Sequence, residues 1–134
     1  MRARIAEELA LARKWYPDIK HVGHAGEDWF LLPQYACPME WAIDGEPVSQ
    51  LAIAFRLSAS YPQTEPYGFA TANGITFRGV VPENAGASLP APFEGEWRLF
   101  SWAPEAWSST AQIEKGSNLL AWIRSFATRF GQGA

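Results

Sequence analysis

The stretch Ser60-Tyr-Pro-Gln-Thr-Glu-Pro-Tyr-Gly-Phe69 constrains this chain more than any other, because it interrupts two runs that read as strands. Ahead of it, Leu51, Ile53, Phe55 and Leu57 alternate with smaller or polar residues, the period of a half-buried strand. Behind it, Gly74-Ile-Thr-Phe-Arg-Gly79 is a second short β-prone run. Neither Pro62 nor Pro66 can donate a ladder hydrogen bond, and each fixes its own φ and biases the preceding residue to extended geometry. The segment is therefore a stiff extended corner between strands, and its flanking aromatics predict that it is packed.

A chain of 134 residues fits one domain spanning 1–134 and is long enough to bury one core. Hydrophobic residues make up 48% of it and aromatics 14%, a balance that argues against a disordered chain. The seven tryptophans are expected to serve mostly as packing. A net charge of −3 argues against nucleic acid as the partner, since phosphate binding needs a basic surface. The single cysteine, Cys37, rules out an internal disulfide and suits the reducing cytoplasm. No apolar run reaches spanning length and Glu7 and Glu8 interrupt the N-terminal segment, so neither a membrane partner nor a signal peptide is expected.

In chain order, Arg2 to Tyr16 reads as an amphipathic helix. Its apolar stripe is Ile5, Leu9, Ala12 and Tyr16, with Arg2, Arg4, Glu8 and Lys14 facing water, and Pro17 stops it. His21 and His24 follow in what reads as a linker, and no further ligand accompanies them to make a metal site. A first strand is expected over Glu27 to Leu32, ended by Pro33. A second lies within Tyr35 to Asp44, with Asp44-Gly45 as a turn signal. The third is the Leu51 strand, and the fourth begins near Tyr67 or Gly74. Gly79 to Pro92, rich in Gly, Pro and Ala, reads as a long loop of the functional kind. Phe93 to Trp107 is dense in Trp and Pro. A last helix, capped by Ser109 or Thr110, runs to Phe130 with Ile113, Leu120, Ile123, Ala127 and Phe130 on one stripe. The expected fold is α+β: an N-terminal helix, an antiparallel meander of about four strands, a long loop, and a C-terminal helix on one sheet face.

Helix, meander and Tyr-Pro corner, followed by a Trp-Ser element (Trp107-Ser108-Ser109) and a helix, resemble the order of the ubiquitin-conjugating (UBC) fold. Trp102-Ala103-Pro104 is a rival match to the same element. Val81-Pro82-Glu83-Asn84 is similar to the family's His-Pro-Asn without the histidine. The Pro66-Tyr-Gly-Phe69 corner and the Trp-rich block look closest to a bacterial branch associated with ubiquitin-like modifiers. The resemblance covers about Trp29 to Phe130. It implies a conjugation component whose partners are a ubiquitin-like modifier protein and its activating enzyme, with no cofactor.

The family's thioester chemistry requires a cysteine between corner and helix, whereas Cys37 lies upstream of the corner and reads as a packing residue. Two consequences stay open. A hydroxyl could carry the modifier as an oxyester: Ser101, which follows Arg98-Leu-Phe as the family nucleophile follows a short strand, or Ser88, the sole hydroxyl between Gly79 and Pro92. Either needs a base, for which Glu94, Glu96, Glu105, His21 and His24 are the candidates. Alternatively the domain is an inactive relative that binds the modifier or the activating enzyme, with Trp102 and Trp107 on the docking surface. In either case the basic residues Arg13 and Lys14, on a helix that also holds Arg2 and Arg4, are candidates for partner steering. Tyr61, Pro62 and Pro66 are the structural corner.

A reading from another class is a small α+β domain whose tryptophans line a ligand pocket. No phosphate loop, dinucleotide fingerprint or zinc pattern is present to support it, and no Gly-x-Ser-x-Gly elbow marks a hydrolase.

Overall fold

The computed structural model describes residues 2–134. Helix α1, Ala3–Ala12, is shorter than its apolar period suggests: Arg13 caps it and a turn carries the chain to Pro17. Strands β1 (Lys20–His24) and β2 (Glu27–Ala36) follow, so His21 and His24 belong to a strand and not to a linker. Pro33 does not end β2. The pairing of β2 with its neighbour shifts register between Leu32 and Tyr35, and a bulge is where a strand tolerates a residue without an N–H donor. Tyr35 is thereby part of β2, and the expected second strand shrinks to β3, Trp41–Ile43. Asp44 and Gly45 both take positive φ and turn the chain into β4, Glu46–Pro47, as a two-residue hairpin loop requires.

The Leu51 strand is β5, Gln50–Leu57. After the corner come β6 (Phe69–Ala72) and β7 (Ile75–Phe77). The Gly79 to Pro92 loop contains the two-residue strand β8, Ala87–Ser88, which pairs with β9, Trp97–Phe100. The last helix, α2, is Leu119–Gly131 and starts well after Ser109 and Thr110. Gly116 is the reason: an added Cβ there would meet the Ser108 carbonyl at 2.7 Å, so residues 108–117 close into a loop. Ser117 N–H donates to Ser108 O at 2.8 Å across it. Asn118, whose side chain accepts from Ala121 N–H at 2.8 Å, is the actual cap.

All pairings are antiparallel. The six-stranded sheet has the order β1-β2-β5-β6-β9-β8, in which the first four neighbours follow chain order as a meander; β4-β3-β7 form a second, three-stranded sheet. Alternation sorts the large sheet into two faces. Phe30, Leu32, Ile53, Phe55, Leu57, Phe69 and Phe100 face α1 and α2 in the main core, with Ile5 and Leu9 from α1 and Trp122, Ile123, Phe126 and Phe130 from α2. Phe126 sits at the centre, its ring 4.4 Å from Phe69 and 5.5 Å from Phe55. On the opposite face, the small residues Ala54 and Ala70 let the Leu89 to Phe93 segment pack down between Trp29 and Trp97. The architecture is α+β, and no helix among the described residues is long and apolar enough to cross a membrane.

Candidate functional site

The corner is held from three sides. Tyr61 is buried, and its hydroxyl donates to Glu8 Oε1 at 2.5 Å. Glu8 is itself only 1% exposed. Its Oε1 also accepts the Leu119 N–H at the start of α2, at 2.6 Å, and its Oε2 accepts from Arg4 Nε at 2.5 Å. One carboxylate thus ties α1, the corner and the N-terminus of α2, where backbone donors and the helix dipole favour negative charge. Burial, then the bond to Glu8, drives the Tyr61 hydroxyl's pKa well above its ordinary value. The Tyr61–Pro62 peptide is cis, Pro66 is buried, and Trp107 Nε1 donates to Pro62 O at 3.0 Å. Past Pro66, Gly68 has φ +77° and its missing Cβ leaves room for Leu99 Cδ1, which would otherwise lie 2.8 Å away.

Trp102 and Trp107 are half-buried, and both are anchored. Trp102 Nε1 donates to Ser125 Oγ at 3.1 Å, and the Trp107 ring lies 5.7 Å from that of Tyr61. Between this segment and α2 runs a groove of about 320 Å³, lined by Pro104, Glu105, Trp107, Ala121, Trp122 and Ser125. Trp122 is 1% exposed and its indole N–H has no partner among the described residues.

Ser101 is exposed at the end of β9, and its N–H donates to Asn84 O at 2.7 Å. It lines a shallow cleft with Val81, Pro82, Asn84, Gly86 and Arg98. Ser88, opposite Arg98 across the β8–β9 pair, lines a separate depression with Asn73, Glu96 and Trp97. The two serines therefore do not share a site. None of the proposed bases is brought to Ser101. Three strands separate β1, which carries His21 and His24, from β9, roughly 19 Å at ordinary strand spacing. His21 Nε2 is instead bonded to Asp28 Oδ1 at 2.7 Å. Glu94 and Glu96 precede β9 while Ser101 follows it, a separation on the order of 16 Å from Glu96 along an extended strand. Glu105 lines the groove against α2 and not the Ser101 cleft.

Cys37 packs half-buried against the main core. Burial pushes its thiol up to about 11, which leaves little thiolate at neutral pH. The basic residues of the N-terminal segment are mostly engaged inside the fold. Arg2 bonds the carbonyls of Ser58, Ala59 and Tyr61, Arg4 bonds Glu8 and Thr110 O, and Arg13 Nη2 donates to Ile19 O at 2.7 Å. Lys14 alone of the four has no side-chain hydrogen bond or ion pair among the described residues, and it is exposed.

Reasoning from sequence missed Glu8, Thr71 and Arg129. Glu8 was readable in principle: it stands on the i, i+3, i+4, i+7 stripe of Ile5, Glu8, Leu9 and Ala12, an acidic residue where the helix turns inward. Thr71 is fully buried, and its hydroxyl has no partner among the described residues. Arg129 is 6% exposed and donates to Gly133 O at 2.6 Å and Glu83 O at 3.0 Å. No known protein family, curated protein or solved structure matches the chain.

Proposed function

We propose that this domain is a UBC-like component of a bacterial ubiquitin-like modifier pathway and that it works by binding the modifier or its activating enzyme. The observation that carries the binding role is the solvent-open groove between Trp107 and α2, whose walls are largely apolar and include the aromatic rings of Trp107 and Trp122. An aromatic-lined, largely apolar groove suits a protein segment that inserts apolar side chains. The conjugation pathway itself rests on the resemblance in the order of elements around the corner.

A second reading, oxyester transfer through Ser101, is favoured by one specific contact: Ser101 is hydrogen-bonded to the backbone of Asn84, within the Val81–Asn84 stretch that resembles the family's His-Pro-Asn. Incubation with a cognate activating enzyme, modifier and ATP, followed by intact-mass spectrometry, separates the two. Complex formation without an adduct supports the binding role, and a hydroxylamine-labile, modifier-sized adduct lost in Ser101→Ala supports transfer. Ala121→Arg, on the exposed groove wall, should weaken the complex by about tenfold or more while leaving the fold intact. Unchanged binding in that variant removes the groove from the proposal.

A further inference from the structure

The loop beside Ser101 is clamped in an unusual way. Three successive carbonyls accept from three different donors: Glu83 O from Arg129 Nη2 at 3.0 Å, Asn84 O from Ser101 N–H at 2.7 Å, and Ala85 O from Arg98 Nη1 at 3.3 Å. Asn84 sits between them at φ +56°, exposed, a conformation that asparagine adopts more readily than most residues. Two guanidinium groups are thus spent on neutral carbonyls. The chain has 14 acidic and 11 basic side chains, yet neither Arg98 nor Arg129 has a carboxylate within 4 Å among the described residues. Arg129 is sealed in, over the Phe100 ring at 5.1 Å; burial pulls its pKa below the ordinary arginine value, and the Glu83 carboxylate offsets part of that. Arg98 lines the open cleft, and among the described residues Nη1 alone of its guanidinium nitrogens carries a hydrogen bond, Nε being covered and without a partner there.

We propose that this cleft is an oxyanion site, taking a carboxylate or a phosphate group with Arg98 as the cation and the Ser101 hydroxyl and Asn84 amide as neutral donors. A guanidinium without a carboxylate partner, lining one cleft with a hydroxyl and an amide in a protein of net negative charge, is an arrangement that oxyanion recognition uses. Arg129 adds a fixed positive charge beneath the loop and holds Glu83 O, so it positions the cleft without touching the ligand. The site goes beyond the binding role proposed above and does not depend on it: it needs neither the groove nor a conjugation pathway.

Titration of the 15N-labelled full chain with sodium phosphate, sodium acetate and, as ionic-strength control, sodium chloride tests it by amide shifts. Saturable shifts at residues 84–87 and 99–101 with phosphate, acetate or both are expected, and the tighter of the two identifies the group. Arg98→Leu should weaken binding by about tenfold or more and Ser101→Ala by about fivefold, as loss of a charged and of a neutral hydrogen bond respectively. Arg98→Lys keeps the charge without the fork and should favour phosphate over acetate relative to the parent; it also serves if Arg98→Leu does not fold. Shifts that track ionic strength equally in all three salts, or that persist unchanged in Arg98→Lys and Ser101→Ala, overturn the proposal.

Discussion

The corner and the Ser101 cleft both bring charged and polar groups out of water, and they treat them oppositely. At the corner, the Glu8 carboxylate collects donors from Arg4, Tyr61 and Leu119, so a buried charge meets an opposite charge, a hydroxyl and a helix N-terminus. The exception is Arg4 Nη2, buried without a partner among the described residues. At the cleft, Arg98 and Arg129 hydrogen-bond only to carbonyls among the described residues, and Thr71, directly opposite Arg98 in the β6–β9 register, is buried with no hydroxyl partner among them. A closed network specifies structure, because each member is costly to unpair. An open one leaves binding capacity unspent, which is why the ligand site is assigned to the cleft and the scaffold role to the corner.

The largest expected effect lies at the corner. Glu8→Ala removes the shared acceptor and leaves Tyr61 Oη and Leu119 N–H unpaired and Arg4 without its carboxylate. Breaking a buried pair from one side costs about 3–5 kcal/mol. Urea unfolding should show that loss as a lower midpoint. A change below about 1 kcal/mol would mean that solvent reaches the network and that the contrast between the regions is false.

Tyr61→Phe is a smaller cut into the same network, because Glu8 Oε1 keeps the Leu119 donor. The expected cost is about 1.5–3 kcal/mol, that of one hydrogen bond to a charged acceptor. Its pH dependence has a definite sign. The folded state raises the Tyr61 hydroxyl's pKa above the unfolded value of about 10. The associated stability is therefore fully present below about pH 10 and is lost as pH rises from there through the folded-state value. Tyr35, whose hydroxyl donates to Ile123 O at 2.7 Å and is likewise shifted upward by burial, adds to the same alkaline loss. The stability gap between parent and Tyr61→Phe should narrow above pH 10. A gap that stays constant to pH 11 would show that Tyr61 ionises freely in the fold.

The same contrast explains what could be read from the chain. The Leu51 to Leu57 alternation, the Asp44-Gly45 turn and the Tyr61-Pro62 corner are local signals, and each marks a real strand, hairpin or bend. The Pro33 bulge was not legible, because the register of β2 against β5 decides whether a proline ends a strand. Nor was the start of α2, since the apolar stripe continues through Ile113 while Gly116 must tuck against Ser108. Glu8 read as a solvent-facing residue because two of its three partners, Tyr61 and Leu119, lie 53 and 111 positions away. The separation of Ser101 from His21 and His24 follows from strand order, which no spacing along the chain encodes.

The smallest expected effect carries the sharpest test, because its sign differs. Thr71→Val deletes a hydroxyl of the same size class as Tyr61→Phe does, from a residue that is also fully buried. Thr71 Oγ1 has no partner, so the folded state has given up its hydration for nothing, whereas the unfolded chain recovers it. Val keeps the β-branched shape suited to the strand and lacks the group that must be desolvated. Replacement of an unsatisfied buried polar group by an apolar one of the same shape is neutral or stabilising. Thermal or urea unfolding of Thr71→Val should therefore give a stability equal to the parent or up to about 1 kcal/mol higher, against a loss for Tyr61→Phe. If Thr71→Val instead loses 1 kcal/mol or more, the hydroxyl is bonded to ordered water or to Arg98 Nε in solution. The polar end of the β6–β9 pair would then be a closed network like the corner, and the division between the two regions would have to be abandoned.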